Sequence, residues 1–359
     1  MKFRKKTIRD IDVVGKNVLV RVDYNVPMKD GEVVEDMRIS ASLPTLNYLL
    51  AQGCRKLILI SHLGRPKGGV VNEYSLAPVA QRLAKLLANK DVRFCSETTG
   101  EVVREAVADT PNGGVLMLEN LRFSPEEEAN SEQYADEIIA ATGAEVFVQD
   151  GFAVIHRAHA STDAIARKLP AVAGFLVEDE VSKLEEATND PEHPVLVMIG
   201  GAKVEDKQPL IEKFLPIADM IAVGGKIAAD GYTNENPKIY VAEDFSLDEN
   251  GAKLDIGPRS IAKMDDMIRK AKTIIWNGVM GLVEDSRFAY GSQMVATAMG
   301  HSTGLTIVGG GDTAGFVEGL LRDPNHSSLK FSLVSTGGGA SLELLCGKKL
   351  PGLEVLLDA

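Results

Sequence analysis

The chain has 359 residues, 45% hydrophobic and 25% charged, with a formal net charge of 39 − 51 = −12. This length exceeds one typical core and predicts two domains of an ordinary globular protein. The acidic balance argues against nucleic acid or an anionic membrane as the main partner.

The opening MKFRKKTIRD is basic, but no apolar run follows it, so it does not read as a signal peptide. No stretch approaches the roughly 18 apolar residues of a membrane helix, and the cytoplasm is the default location. Cys54, Cys95 and Cys346 are far apart and form no CxxC pair, so neither a zinc site nor a disulfide framework is expected.

In the first half, short apolar runs alternate with amphipathic stretches. Strands are predicted at Val18–Val22, Lys56–Ser61, Val92–Cys95, Val115–Leu118 and Glu145–Val148. Helical spacing of apolar residues covers Ser40–Gln52, Ser75–Ala88, Thr99–Ala108 and Ser131–Thr142, with Ser75 as an N-cap. This βα rhythm predicts a parallel sheet covered on both faces, with ligands beyond the carboxyl ends of the strands.

Those ends carry Asp23 and Asn25, then His62 and Arg65, then Arg122, then Asp150 followed by His156, Arg157 and His159. Arg38 lies on the loop into the first helix. Of 16 arginines, 12 fall between Arg4 and Arg167, so an acidic protein gathers a basic cleft in one half. Arginine grips carboxylate and phosphate bidentately, which suits a small substrate carrying both groups. Metal ligation by the three histidines ranks lower, because arginines so close repel a cation.

Ala173–Asp190 reads as an acidic helix ended by Asp190-Pro191, and it forms the natural connector. In the second half, strands are predicted at Val195–Ile199, Met220–Val223, Lys238–Ala242, Thr273–Trp276, Leu305–Val308 and Phe331–Val334. Glycines follow five of the six: Gly200-Gly201, Gly224-Gly225, Gly278, Gly309-Gly310-Gly311 and Gly337-Gly338-Gly339. They predict a nucleotide laid across the sheet edge against backbone. Lys203 and Lys207, four apart after the first of these strands, would share one face of a helix opening there and suit an oligophosphate. Asp312 offers a hard oxygen ligand for Mg²⁺.

A dinucleotide fingerprint, Gly309-x-Gly311-x-x-Ala314, is a rival, but the next strand ends without the acid that a ribose hydroxyl needs. No GxxxxGK[ST] pattern occurs, which disfavours a P-loop kinase. Trp276 is the one tryptophan and is assigned to the core.

The segments RVDYNVP, SHLGRP, LENLRF, HRAHAS and GGAKVEDK resemble, in order, the motifs of the phosphoglycerate kinase family. The resemblance covers nearly the whole chain. It implies two doubly wound parallel-sheet α/β domains joined by a hinge helix, with a cleft between them. The expected spans are 1–172 for 3-phosphoglycerate, 173–190 for the hinge and 191–340 for Mg-nucleotide. Residues 341–359 form a tail packing back on the first domain.

By the same resemblance, Asp23, Asn25, Arg38, His62, Arg65, Arg122 and Arg157 bind 3-phosphoglycerate. Arg38, Lys203 and Gly338 handle the transferred phosphoryl group. Lys207, Gly224, Gly225, Glu284, Gly310, Gly311, Asp312 and Thr313 hold ATP or ADP, with Mg²⁺ on Asp312. The implied chemistry is reversible transfer between 1,3-bisphosphoglycerate and MgADP, giving 3-phosphoglycerate and MgATP by direct in-line displacement in a monomer.

The chain departs from the family after Gly224-Gly225, where it is several tens of residues shorter in a region that helps wall the adenine pocket. Val279 also replaces the proline of the family's NGPMG segment, and Gly151, Ala153, Val154 and Ile155 differ from its DAFGTAHR pattern. Base selection is therefore expected to be weakened towards guanine. A binding-only homologue is the second reading, and Lys203→Ala separates the two: it abolishes turnover in an enzyme and leaves a scaffold untouched.

Overall fold

The computed structural model describes residues 3–88 and 90–359. Contacts divide the chain into two units. One takes the residues up to Asp179 and Lys349–Ala359; the other takes Glu180–Lys348.

The first unit is built on β1 (Asn17–Arg21), β2 (Lys56–Ile60), β3 (Val92–Cys95), β4 (Gly114–Leu118), β5 (Val146–Gln149) and β6 (Ala171–Ala173). They form one parallel sheet in the order β3-β4-β2-β1-β5-β6. Every residue of β1, β4 and β5 is buried, as continuous apolar strands covered on both faces must be. The covering helices are α1 (Met37–Ala51), α2 (Ala77–Leu86), α3 (Gly100–Asp109) and α4 (Glu132–Thr142). The chain leaves β1 on one side through β2 and returns to its other side at β5, so the strand order reverses at β1 and opens a crevice over its carboxyl end.

The terminal residues return to this unit. The Leu357 N–H donates to the Ala171 carbonyl (3.0 Å), Lys6 N–H to Leu357 (2.7 Å) and Gly352 N–H to Ile155 (2.9 Å). Helix α5 (Phe175–Asn189) contains the division between units.

The second unit repeats the plan with β7 (Val195–Ile199), β8 (Met220–Val223), β9 (Ile239–Val241), β10 (Thr273–Asn277), β11 (Leu305–Gly309) and β12 (Leu333–Val334), in the order β9-β8-β7-β10-β11-β12. All neighbours are parallel. Its helices are α6 (Gln208–Phe214), α7 (Gly225–Ala229), α8 (Pro258–Lys270), α9 (Tyr290–Gly300), α10 (Gly311–Arg322) and α11 (Gly339–Leu345). Here the order reverses at β7, between β8 and β10. Trp276 is fully buried in the core, and its indole N–H donates to the Gly278 carbonyl (2.8 Å), which ties the strand end to its loop. Among the described residues, no helix is long and apolar enough to cross a membrane.

Four local expectations are corrected. The helix expected to carry Lys203 and Lys207 begins only at Gln208, with Lys207 at its N-cap. Pro209 is the reason: it has no N–H for a helix that started earlier, but fits the first turn. Arg38 is not in a loop; α1 starts one residue before it. Leu76, not Ser75, is the N-cap of α2. The Ser75 hydroxyl donates to Glu119 (2.8 Å) while accepting the Ala77 N–H (3.2 Å). Finally, the strand expected over Phe331–Val334 is only two residues long. At Ser332 the pairing runs through side chains instead, Thr306 N–H to the Ser332 hydroxyl (3.1 Å) and Ser332 N–H to the Thr306 hydroxyl (2.9 Å).

Candidate functional site

The carboxyl ends of β1, β2 and β5 place a cluster of charge in the first unit. Asp23, just past β1, is buried and paired with the Arg38 guanidinium from α1. Asn25 accepts the Gly64 N–H (2.9 Å), and Arg122 donates to the Gly64 carbonyl (2.9 Å). The loop after β2 is thus clamped from two sides. Arg122 is almost fully buried and makes an ion pair with Glu128 (3.1 Å). Arg65 is exposed, and Arg157 is half-buried with its Nε–H on His156 (3.2 Å).

His62 is buried, and burial pushes its pKa well below the ordinary value, helped by the positive charge of Arg21, Arg122 and Arg38. His159 is held down to about 4 by burial and by the positive charge of Arg122, Arg21 and Arg157. Both rings are therefore neutral at pH 7. The expected residues do gather, since Arg38 and Arg122 act on His62, while Arg65 and Arg157 act on Arg122.

The sequence pattern does not single out Arg21, Glu127 or Ser161, yet all three lie buried in this cluster. Arg21 closes a strand that is apolar from Val18 to Val20, and that one charge at the end of NVLVR is the available signal. Glu127 sits in the acidic run Pro125–Glu128, which looks like a solvated helical turn. Nothing local marks its middle residue as buried.

In the second unit, a pocket of about 240 Å³ opens at the ends of β7, β10 and β11, where the strand order reverses. Lys203, Lys207, Gly310, Gly311, Asp312 and Thr313 line it, with Val279. The two lysines reach it from a turn rather than from a helix face. Lys207 donates to the Asn277 side-chain carbonyl, and the Thr313 hydroxyl accepts the Gly278 N–H (2.8 Å). Burial lowers the Lys207 pKa, against the pull of Asp206 and Asp312. Gly310, at φ +89°, turns the chain into α10, whose first N–H groups and Asp312 face the pocket loop without a side-chain cap. Gly338 (φ +48°) opens α11 in the same way.

Other nucleotide candidates lie elsewhere. Gly224 and Gly225 are buried and outside the lining of this pocket. A Cβ on Gly225 would sit 2.6 Å from the Val279 carbonyl, and one on Gly200 only 2.2 Å from it. These glycines let the loops pack backbone against backbone, which is a different reason from contact with a ligand. Glu284 is exposed in the turn after β10 and does not line the pocket.

Among the described residues, no group of three or more His, Cys, Asp or Glu could hold a metal. The donor set around Asp312 fits Mg²⁺ only as part of a nucleotide complex, with one carboxylate from the chain and the other oxygens from phosphate and water.

The phosphoglycerate kinase family model matches residues 8–239 and 229–348. The chain is 44% identical to the phosphoglycerate kinase of Roseiflexus sp. (strain RS-1) over 403 positions, covering 99% of this chain and 100% of that one. It is 41% identical to the enzyme of Pelotomaculum thermopropionicum over 401 positions, covering 99% of each. Its fold matches the phosphoglycerate kinase structures from Pyrococcus horikoshii OT3 (TM-score 0.85, 29% identity) and Coxiella burnetii (TM-score 0.80, 31% identity), covering 98% of each chain. With its motifs in order and the match running along almost its full length, the chain belongs to the phosphoglycerate kinase family.

Proposed function

We propose that the protein catalyses reversible phosphoryl transfer between 1,3-bisphosphoglycerate and MgADP, giving 3-phosphoglycerate and MgATP. The full-length match to named phosphoglycerate kinases carries this reading. The retained charge supports it: an arginine cluster at one strand reversal and a lysine pair at the other.

In this reading, Asp23, Asn25, His62, Arg65, Arg122 and Arg157 hold 3-phosphoglycerate. Neutral His62 contributes a hydrogen bond rather than charge. Lys207, Gly310, Gly311 and Thr313 hold the nucleotide phosphates. Asp312 would hold Mg²⁺, which draws charge off the phosphates and fixes their geometry when bound. Arg38, Lys203 and the N–H groups at Gly338 neutralise the oxygens of the phosphoryl group in flight. An acyl phosphate is a reactive donor, so no covalent enzyme intermediate is required.

The acceptor and nucleotide residues belong to different units, and in-line transfer requires the two ligands to be brought together with water excluded. Helix α5, which contains the division, is the proposed hinge. Domain boundaries at 172, 190 and 340 belong to the same proposal. Both residue sets come from one chain, which supports a monomer as the working unit, in the cytoplasm. Light scattering at the chain mass of 38.5 kDa checks the monomer.

The test is consumption of MgATP that depends on 3-phosphoglycerate, with the bisphosphate removed by a coupled reaction. Turnover with this acceptor is expected. A folded protein that binds both ligands without turnover would overturn the assignment in favour of a binding-only homologue.

A further inference from the structure

Arg21 sits at the centre of the acceptor cluster, yet its guanidinium points its donors inward. Nε–H donates to the Ser161 hydroxyl (2.8 Å), Nη1 to the Val22 carbonyl (2.5 Å) and Nη2 to His62 Nδ1 (3.0 Å). The Ser161 hydroxyl in turn donates to Glu127 Oε1 (2.6 Å), and the Ser161 N–H to Glu127 Oε2 (3.0 Å). All four side chains are buried.

The direction of each bond is forced. Burial raises the Glu127 pKa and the charge of Arg21 opposes that rise. As the ionised partner of Arg21, its carboxylate only accepts, so the single Ser161 proton goes to Glu127 and the hydroxyl oxygen is left to accept from Arg21. Arginine only donates, so His62 Nδ1 must accept. A neutral ring then carries its proton on Nε2. The chain therefore runs one way, from the Glu127 carboxylate through Ser161 and Arg21 to the His62 ring.

The geometry points to Glu127 and Ser161 as positioning residues that, through Arg21, hold His62 as a neutral ring with its proton on Nε2, available to the acceptor ligand. This rests on the reading that His62 contacts phosphoglycerate. Without the relay, a ring beside four other cationic or basic groups has no fixed tautomer, and part of its population would present a lone pair to an anion. A purely structural alternative is that Glu127 only caps the π-helical turn Ala160–Ala164 through the Ser161 N–H. The hydroxyl bond and its continuation to His62 are what separate the two.

The test uses the full chain with ¹⁵N-labelled histidine and no ligand, at pH 7. Long-range ¹H–¹⁵N correlation reads the tautomer of His62, assigned by its loss in His62→Gln. Wild type is expected to show Nδ1 bare and Nε2 protonated. Ser161→Ala is expected to shift His62 towards a mixture of tautomers and to raise KM for 3-phosphoglycerate about tenfold, the loss of one hydrogen bond, with KM for MgATP unchanged. Ser161→Thr keeps the hydroxyl and is expected to restore both.

A wild-type ring protonated on Nδ1, or on both nitrogens, overturns the relay before any variant is made. So does a folded Ser161→Ala protein with wild-type ring shifts. If the ring behaves as expected but 3-phosphoglycerate is not turned over, the relay stands and the substrate assignment fails.

Discussion

The Lys207 ammonium, at the N-cap of α6, donates to the side-chain carbonyl of Asn277 at the end of β10. The contact spans the point where strand order reverses, and it fixes a half-buried cation at the proposed phosphate pocket. Asn277 is itself fully buried, so it is preorganised to hold the lysine. Asn277→Leu removes the acceptor while keeping the volume. A hydrogen bond to a charged group contributes about 1.5–3 kcal/mol, so KM for MgATP is expected to rise roughly 10- to 100-fold. KM for 3-phosphoglycerate is expected to stay put. Initial rates with each substrate varied check this, and an equal change in both constants would count against the assignment.

Arg38 and Lys203 are proposed to touch the same phosphoryl group but differ in what else they do. Lys203 is exposed, while Arg38 neutralises the buried carboxylate of Asp23. Lys203→Ala is therefore expected to cost about 10²–10³ in kcat, the range for a lost transition-state donor, at unchanged melting temperature. Arg38→Ala is expected to lose activity and also stability, because Asp23 is left buried and unpaired. Breaking such a pair costs about 3–5 kcal/mol, and the half-exposure of Arg38 places this case at or below the lower end. Paired activity and urea-denaturation measurements separate the two; equal stability of both variants would show that Asp23 does not depend on Arg38.

Asp150 accepts the Leu176 N–H (3.0 Å) at the start of α5, and burial raises its pKa to about 7 against the hydrogen bonds from Thr45, Leu176 and Val177. The unfolded chain releases this proton near pH 4 and the folded chain near pH 7. Folding therefore takes up a proton between those values, and stability falls as pH rises through the window, by at most about 1.4 kcal/mol per pH unit for this one group. Asp150→Asn fixes the neutral form. Its stability relative to wild type is expected to increase from pH 5 to pH 8, read from urea midpoints. A difference independent of pH would mean that Asp150 does not titrate in this range.

The strands were legible in the sequence because parallel strands buried on both faces are runs of apolar residues with little else to confuse them. Val195–Ile199 and Met220–Val223 carry the same limits in sequence and structure. The partly exposed edge strand Val92–Cys95 does so too, while the three-residue edge strand Ala171–Ala173 does not stand out in the sequence. The residues at their carboxyl ends were legible for the same reason: a polar group directly after such a run has one place to go. The misreadings arose where one residue overrode a pattern. Pro209 delayed α6 past Lys203 and Lys207, and paired side chains at Thr306 and Ser332 replaced part of a strand ladder. Gly225 and Gly200 could not be told from ligand-contacting glycines, because both roles demand a missing Cβ and only the position of the Val279 carbonyl distinguishes them. Glu127 was hidden because its burial depends on Ser161, 34 residues away.

The shortened segment leads to the last expectation. The alignment to the Roseiflexus sp. enzyme runs over 403 positions, and this chain has 359 residues, so at least 403 − 359 = 44 positions have no counterpart here. The two stretches matched by the family model overlap at residues 229–239, which places the shortfall between α7 and β9. The pocket nearby is the proposed phosphate site: its lining offers two lysines, backbone N–H groups and Asp312, and no aromatic side chain for a base to stack on. Stacking of a base on an aromatic ring is worth about 1–3 kcal/mol, and a pocket that gains its affinity from phosphates treats all nucleotides alike. MgGTP is therefore expected to give kcat/KM within about fivefold of MgATP, less than one such stacking interaction would confer. Steady-state rates with the two nucleotides at saturating 3-phosphoglycerate decide the matter. A preference for ATP of a hundredfold or more would mean that residues 230–238 or their neighbours still build a base-selective wall.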